Sequence, residues 1–218
     1  MQVTTPTSKL LIRPDSILNA SVTTSRHCAE TKRNFIDRYL DAINEAFNSI
    51  RVTNALQQLV SFEFAFDACV NLLKKQDKMI YFIGNGGSAG IASHMATDFL
   101  KNGQLPALCL ADPSLLTCLS NDLGYENVYA HSISMVIKPQ DILVAISSSG
   151  NSPNILNAVK AARKAKANVI TLSGFQEDNE LRHVGDYNWY FMSNVYGIVE
   201  NAHQILAHSF LDYILKSI

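Results

Sequence analysis

Two short polar clusters in the sequence combine the residue types that hold an anion without a charged side chain. The first spans Gly84–Ser88 (Gly-Asn-Gly-Gly-Ser), and the second spans Ser147–Ser152 (Ser-Ser-Ser-Gly-Asn-Ser). Glycine lets backbone N–H groups come close to a ligand, and serine adds hydroxyl donors. Because neither cluster contains lysine or arginine, a phosphate would be held by neutral donors, as at the N-terminus of a helix.

Each cluster follows an apolar run and precedes a helical pattern. Met79–Ile83 and Asp141–Ile146 are expected to be strands, followed by helices to about Leu100 and from Pro153 to Lys166. Glycine and serine also fill ordinary turns, but two such loops at equivalent strand–helix junctions favour ligand binding. Neither loop is a P-loop or a dinucleotide fingerprint. We call the two clusters together the phosphate cradle.

The rest of the chain predicts an α/β fold with a parallel five-stranded sheet flanked by helices. The arm 1–25 shows no period, and 26–76 predicts a pair of amphipathic helices with Thr53 capping the second. This pair is expected to serve oligomerisation, and 77–218 to form the main domain. The other expected elements are three strands and a final helix: Ala107–Leu110, Asn168–Ser173, Tyr187–Phe191 and about Gly197 to Lys216.

A second group of residues could hold a metal or move protons. His94 and Asp98 are four residues apart on a predicted helix and therefore share a face. Glu200 and His208 are eight apart on the last helix, with His203 between them as a supporting residue. Nitrogen and oxygen ligands of this kind suit Zn²⁺. Other histidines and aromatic residues are expected to be solvated or packed: His27, His131, His183, Tyr187, Trp189, Tyr190 and Tyr196.

Composition excludes several classes of function. The 218 residues carry a net charge of −1, which provides no basic field for nucleic acid. No apolar run approaches the roughly 20 residues of a membrane helix, and no signal peptide is recognised at the start. The four cysteines form no CxxC pair, which favours a reduced, cytoplasmic protein.

The cradle and the stretches around it resemble the sugar isomerase (SIS) domain family, and within it the phosphoheptose isomerases. The matching stretches are 84–99, 112–127, 146–158 and 200–208. The resemblance implies a flavodoxin-like strand order, a homotetramer, and isomerisation of sedoheptulose 7-phosphate to D-glycero-D-manno-heptose 7-phosphate in glycan synthesis. It also implies that a sugar phosphate is bound by Asn85, Gly86, Ser88, Asn121, Asp122, Ser147, Ser148, Ser149 and Ser152. Gly87 and Glu200 are expected to bind the substrate with them.

The same resemblance implies a metal set of four residues. The family positions His, Glu, Gln and His correspond here to His94, Asp98, Glu200 and His208, and Gly197 stands where the family has Asp. Asp98 is expected to act as the carboxylate base and His208 as its acid–base partner. The shorter reach of Asp98 and the departures at Glu200 and Gly197 leave two alternatives open. One is an isomerase for another sugar phosphate, and the other is a non-catalytic SIS protein similar to the DnaA initiator-associating protein.

Overall fold

The apolar runs of the sequence form neighbouring strands of one sheet. The computed structural model describes residues 23–217, with side chains from residue 32 onward. The chain divides into two compact units after Arg38, and the unit from Tyr39 onward carries every strand described. The strands are β1 (Arg51–Asn54), β2 (Leu59–Val60), β3 (Ile80–Gly84), β4 (Ala107–Cys109), β5 (Ile142–Ser147), β6 (Asn168–Ser173) and β7 (Tyr187–Tyr190).

The strand order confirms the expected flavodoxin-like arrangement. The sheet runs β2-β1-β7-β6-β5-β3-β4, and the five strands from β7 to β4 are parallel. Taken in chain order, these five follow the 2-1-3-4-5 pattern of flavodoxin. The sheet is wider than predicted, because β1 and β2 add two antiparallel strands beside β7.

Helices cover both faces of the sheet. They are α1 (Thr23–Asn48), α2 (Phe62–Leu73), α3 (Gly87–Lys101), α4 (Pro113–Leu123), α5 (Val128–Val136), α6 (Pro153–Lys164) and α7 (Tyr196–Leu215). One core joins the sheet to α2, α3, α7 and the part of α1 from Tyr39 onward, and the other joins it to α5 and α6. No helix described is both long and apolar enough to cross a membrane.

The predicted second helix is wrong in its first part. Thr53, expected to cap it, lies inside β1 opposite Asn188 of β7. The β-branched residues Val52 and Thr53 are both buried there, an environment that suits strand geometry better than helix. The helix begins at Phe62, and the Ser61 side chain accepts a hydrogen bond from the Phe64 N–H at 3.2 Å.

The predicted division of the chain into 1–25, 26–76 and 77–218 differs from the two compact units, which are divided after Arg38. The expected arm 1–25 lies outside the described residues as far as residue 22, and Thr23 to Ser25 are already helical. From Tyr39 onward the expected helix pair belongs to the same compact unit as the sheet.

The observed cap of α2 generates the first prediction. Ser61→Ala removes the acceptor for the Phe64 N–H and should lower the free energy of unfolding by about 1 kcal/mol. Urea denaturation followed by circular dichroism measures the change. The control is Ser93→Ala, an exposed serine inside α3, where alanine favours the helix. Equal effects at the two serines would contradict the cap assignment.

Candidate active site

The cradle lies where the order of the parallel strands reverses. β3 and β5 are adjacent, with Gly84 opposite Ile146, and their continuations are the two cradle loops. The chain leaves β3 into α3 and β5 into α6, which pack on opposite faces of the sheet. This reversal leaves a crevice at the carboxyl edge, with the N-termini of both helices beside it.

A cavity of about 250 Å³ occupies this crevice. Ser147 and Ser148 are nearly buried in its wall, and the Ser148 hydroxyl has no hydrogen-bond partner among the described residues. A buried hydroxyl without a partner is costly and suits a site that receives a ligand acceptor. The lining brings together nine of the predicted substrate residues with Tyr196: Asn85, Gly86, Gly87, Ser88, Ser147, Ser148, Ser149, Ser152 and Glu200.

Two glycines have backbone conformations that other residues rarely adopt. Gly86 precedes α3 with a φ of 53°, and Gly150 lies in the second loop with a φ of 65°. A Cβ atom added at Gly150 would also overlap the Asn179 side chain, which is buried. These glycines allow the loops to turn at the strand ends.

An amide pair connects the two loops of the cradle. Asn85 Nδ2 donates to Asn154 Oδ1 at 2.9 Å, and Asn154 Nδ2 donates back to Asn85 Oδ1 at 2.8 Å. The Tyr125 hydroxyl donates to the same Asn85 oxygen at 3.0 Å. Asn154 was not among the predicted residues, although it lies only two residues after the second cluster in the sequence. It is buried, so its role is to fix the position of Asn85.

Two predicted substrate residues lie outside this cavity. Asn121 and Asp122 are exposed at the end of α4, where the Asn121 amide donates to the Asp122 carboxylate at 2.8 Å. The link of this region to the cradle is Tyr125, in the short 3₁₀ turn Tyr125–Asn127 that follows α4. The sugar-phosphate contact expected of Asn121 and Asp122 therefore stays a prediction.

Three of the four predicted metal residues form a cluster on α3 and α7. Asp98 Oδ2 lies 3.4 Å from His94 Nε2 and 3.9 Å from His208 Nδ1. One donor atom from each residue can be chosen so that all three lie within 4.8 Å of one another. Two imidazoles and a carboxylate are a common catalytic zinc donor set, with a fourth position left open. His94, Asp98 and His208 therefore fit a metal ion in donor chemistry.

Glu200 stands apart from this cluster. Its carboxylate lines the cradle and approaches Gly87 so closely that an added Cβ there would lie 2.5 Å from it. His208 follows eight residues later on α7, which corresponds to about 12 Å along a helix axis. The structure thus separates the two functions expected of Glu200 and brings its side chain to the substrate cradle.

The departure at Gly197 has a structural partner. The space that a side chain would occupy there is taken by the Tyr39 hydroxyl. Asn201 Nδ2 donates to the Gly197 carbonyl at 2.6 Å and lies 3.4 Å from the Tyr39 hydroxyl. A hydroxyl from α1 therefore fills the position where the family carries a carboxylate.

His203 lies in the core between the sheet and α7. It is fully buried, packs edge-on against Phe191, and its Nε2 lies 3.2 Å from the Ser173 carbonyl. Burial lowers the pKa of His203 from 6.5 to about 4, so the imidazole is neutral near pH 7. Among the hydrogen bonds described, His203 makes none to His94, Asp98 or His208. Its role in supporting the site therefore stays a prediction.

Tyr196 is a cavity residue that the sequence did not assign to the site. It begins α7, is 62% exposed, and packs edge-on against Phe175 with ring centroids 4.7 Å apart. Trp189 and Tyr190 are buried, as predicted for packing residues. All three residues are aromatic, so the sequence did not distinguish Tyr196, which lines the cradle, from the buried Trp189 and Tyr190.

Comparison with known proteins identifies the family of the chain. Residues 38–174 match the SIS domain family. A phosphoheptose isomerase of Shewanella frigidimarina is 32% identical over 84% of this chain and 96% of its own length. Phosphoheptose isomerases of Solidesulfovibrio magneticus and Nitratidesulfovibrio vulgaris are 37% and 40% identical, over 59% and 50% of this chain and 65% and 55% of their own lengths.

A solved structure agrees over a longer span. The phosphoheptose isomerase GmhA of Neisseria gonorrhoeae superimposes with a TM-score of 0.74 at 27% sequence identity. The superposition covers 88% of this chain and all of the other. The two cradle loops and the α3–α7 pair therefore belong to a fold that a phosphoheptose isomerase shares.

The glycine geometry of the cradle generates the second prediction. Gly150→Ala should lower the free energy of unfolding by about 1 to 3 kcal/mol, because φ is positive and the Cβ meets Asn179. Gly90→Ala is the matched control, since it lies within α3 with open space around its Cβ and should stabilise by up to about 1 kcal/mol. Urea denaturation tests both. Equal stability of the two variants would contradict the assigned geometry.

The buried His203 generates the third prediction, which concerns the pH dependence of stability. Between pH 6.5 and 4 the unfolded chain binds a proton at His203 that the native protein does not, so stability falls as the pH falls through this window. The full contribution is about 3 kcal/mol. His203→Gln should show a weaker decline between pH 7 and 4.5, and exposed His131→Gln the wild-type decline. Parallel curves for wild type and His203→Gln would contradict the neutral core histidine.

Proposed function

Since this chain belongs to the SIS domain family and, within it, to the phosphoheptose isomerases, we propose that it isomerises sedoheptulose 7-phosphate to D-glycero-D-manno-heptose 7-phosphate. This membership makes it an aldose–ketose isomerase. The specific substrate and the roles of the residues are the proposal. The observation that carries them is the contact of Asp98 with both His94 and His208 on the helices that begin at the cradle.

The cradle and the cluster divide the work along α3 and α7. The phosphate binds at the helix N-termini, where free N–H groups and serine hydroxyls donate hydrogen bonds to its oxygens. His94 follows Gly87 by seven residues, or about 10 Å along α3. The reacting end of the sugar must span this separation. A long sugar phosphate suits the distance better than a short one does.

Asp98 and His208 provide the proton transfers of the isomerisation. The reaction moves a proton between C1 and C2 through an enediol and moves a second proton between the two oxygens. The Asp98 carboxylate, with its side chain 20% exposed, takes the proton from carbon. His208 Nδ1 lies 3.9 Å from a carboxylate oxygen of Asp98. His208 transfers the second proton between the substrate oxygens on C1 and C2. General acid–base catalysis of this kind contributes about 10² to 10⁴ in rate.

His94, Asp98 and His208 are also the residues that would hold one Zn²⁺ per subunit. A bound zinc ion would supply polarisation of the substrate carbonyl. His208 also lines a separate, largely apolar cavity of about 450 Å³ with Phe66, Ile205 and Tyr213, so the cluster has access from outside. We extend the proposal to a cytoplasmic homotetramer that feeds lipopolysaccharide or capsule synthesis, following the family.

Glu200 favours one second candidate within the same reaction class. A carboxylate in the cradle repels a phosphate dianion, whereas it accepts hydrogen bonds from sugar hydroxyls. An isomerase for a sugar phosphate of different length or stereochemistry would turn this group toward the sugar. A purely regulatory SIS protein is less well supported, because Asp98 and His208 retain their mutual contact.

The deciding measurement is turnover of purified protein on a panel of five-, six- and seven-carbon ketose phosphates. We expect sedoheptulose 7-phosphate to give the highest kcat/KM. Asp98→Asn and His208→Gln should each lower kcat at least a hundredfold. Zinc content per subunit, measured on the same samples, should fall in His94→Ala.

His131→Gln serves as the control, because His131 is exposed on α5 away from the cluster. It should keep the wild-type kcat. A higher kcat/KM on a shorter sugar phosphate would show that the proposed substrate is wrong, while the proposed reaction class would stand. Wild-type activity of Asp98→Asn would remove the role given to that residue. No turnover of any sugar phosphate, together with capture of a replication initiator, would favour the regulatory alternative.

A further inference from the structure

A second polar cavity lies beside β1 and β2, which are separated from β3 in the sheet by β7, β6 and β5. It has a volume of about 330 Å³ and is lined by residues of β1, β2, the turn between them and the segment between β6 and β7. It shares no lining residue with the cradle. Its charged groups are Arg51, Glu177 and Arg182, with His183 at its margin.

Arg182 is a fixed cation in this cavity. Its side chain is only 8% exposed, its guanidinium lies 4.5 Å above the centre of the Tyr190 ring, and its Nη1 donates to the Glu177 carbonyl. The Nε–H has no hydrogen-bond partner among the described residues. A buried charged donor without an acceptor is expensive, and its natural partner is an oxyanion that binds a guanidinium with two parallel hydrogen bonds.

Glu177 supplies a carboxylate to this cavity from within the chain. Its Oε1 pairs with Arg51 and lies 3.7 Å from Arg182 Nη1. The Glu177 side chain is 56% exposed, whereas Arg182 is held by the ring of Tyr190. The carboxylate is therefore the exposed partner of a buried cation, and the two guanidiniums exceed it by one charge.

We propose that Arg51 and Arg182 form a second binding site, for the oxyanion group of a small phosphate or carboxylate, and that Glu177 occupies it when no ligand is bound. The incoming anion displaces the Glu177 side chain and accepts from both guanidiniums. The site shares no lining residue with the cradle. Contact between the two cavities runs from Tyr190, whose hydroxyl donates to the Phe175 carbonyl at 2.8 Å, through the Phe175 ring to Tyr196.

The test observes the Nε–H of Arg182 directly. ¹H–¹⁵N spectra of the arginine Nε–H groups are recorded while the full-length protein is titrated with inorganic phosphate, and in parallel with acetate. Arg182→Lys assigns the signal. Because the cradle also binds phosphate, the signal of this one nitrogen separates the two events. We expect a saturable shift with at least one anion, and the tighter anion identifies the class of ligand.

Two variants and one control test the competition. Glu177→Gln removes the internal competitor and should tighten anion binding about tenfold, whereas Arg51→Gln should weaken it about tenfold. Glu180→Gln makes the same change of charge at an exposed neighbour and should leave the affinity unchanged. An Arg182 signal that moves with neither anion, in wild type and in Glu177→Gln, would overturn the proposal. So would equal affinities of Glu177→Gln and Glu180→Gln.

Discussion

The reversal of strand order between β3 and β5 is the constraint on which the rest of the site depends. Because the two strands are parallel neighbours and their chains leave to opposite faces of the sheet, the loops after Gly84 and Ile146 end on the same crevice. The Asn85–Asn154 amide pair then joins the loops across it. The crevice is thus a consequence of topology, and its serines and glycines are the groups through which we propose that a phosphate binds.

α3 and α7 begin at the cradle and position Asp98 and His208 relative to it. Their contacts advance together along both helices, from Gly87 with Glu200, through Met95 with Gln204 at 3.4 Å, to Asp98 with His208. The helices therefore run parallel from the crevice. A shift of one helix relative to the other would move Asp98 and His208 with respect to a phosphate held at the start of both. The packing of α3 on α7 therefore sets the separation between the cradle and the cluster of His94, Asp98 and His208.

The sequence departures from the family are related to one another in space. Gly197 leaves room for the Tyr39 hydroxyl, and Glu200, one turn later on α7, faces the cradle. Both changes lie at the beginning of α7, beside the phosphate end of the site. The change at Asp98 lies at the other end, where His94 and His208 keep their contact with the shorter side chain.

The sequence alone determined the parallel strands, because continuous apolar runs such as Met79–Ile83 can be satisfied only by burial on both faces. It also determined the cradle loops and the pairing of His94 with Asp98, which depends on helical spacing alone. It underestimated local signals elsewhere. Asp112 followed by Pro113 caps and begins α4, with the Asp112 carboxylate accepting from Leu115 N at 3.0 Å, and neither α4 nor α5 was predicted.

Only the tertiary structure decided which distant residues meet. β1 replaces the start of a predicted helix because Val52 and Thr53 are buried beside β7, a contact between segments more than 130 residues apart. Glu200 and His208 share a face of α7, yet packing against α3 brings one to Gly87 and the other to Asp98. Periodicity fixes the face of a helix, whereas the partner it meets along its length is set by the packing of the whole sheet.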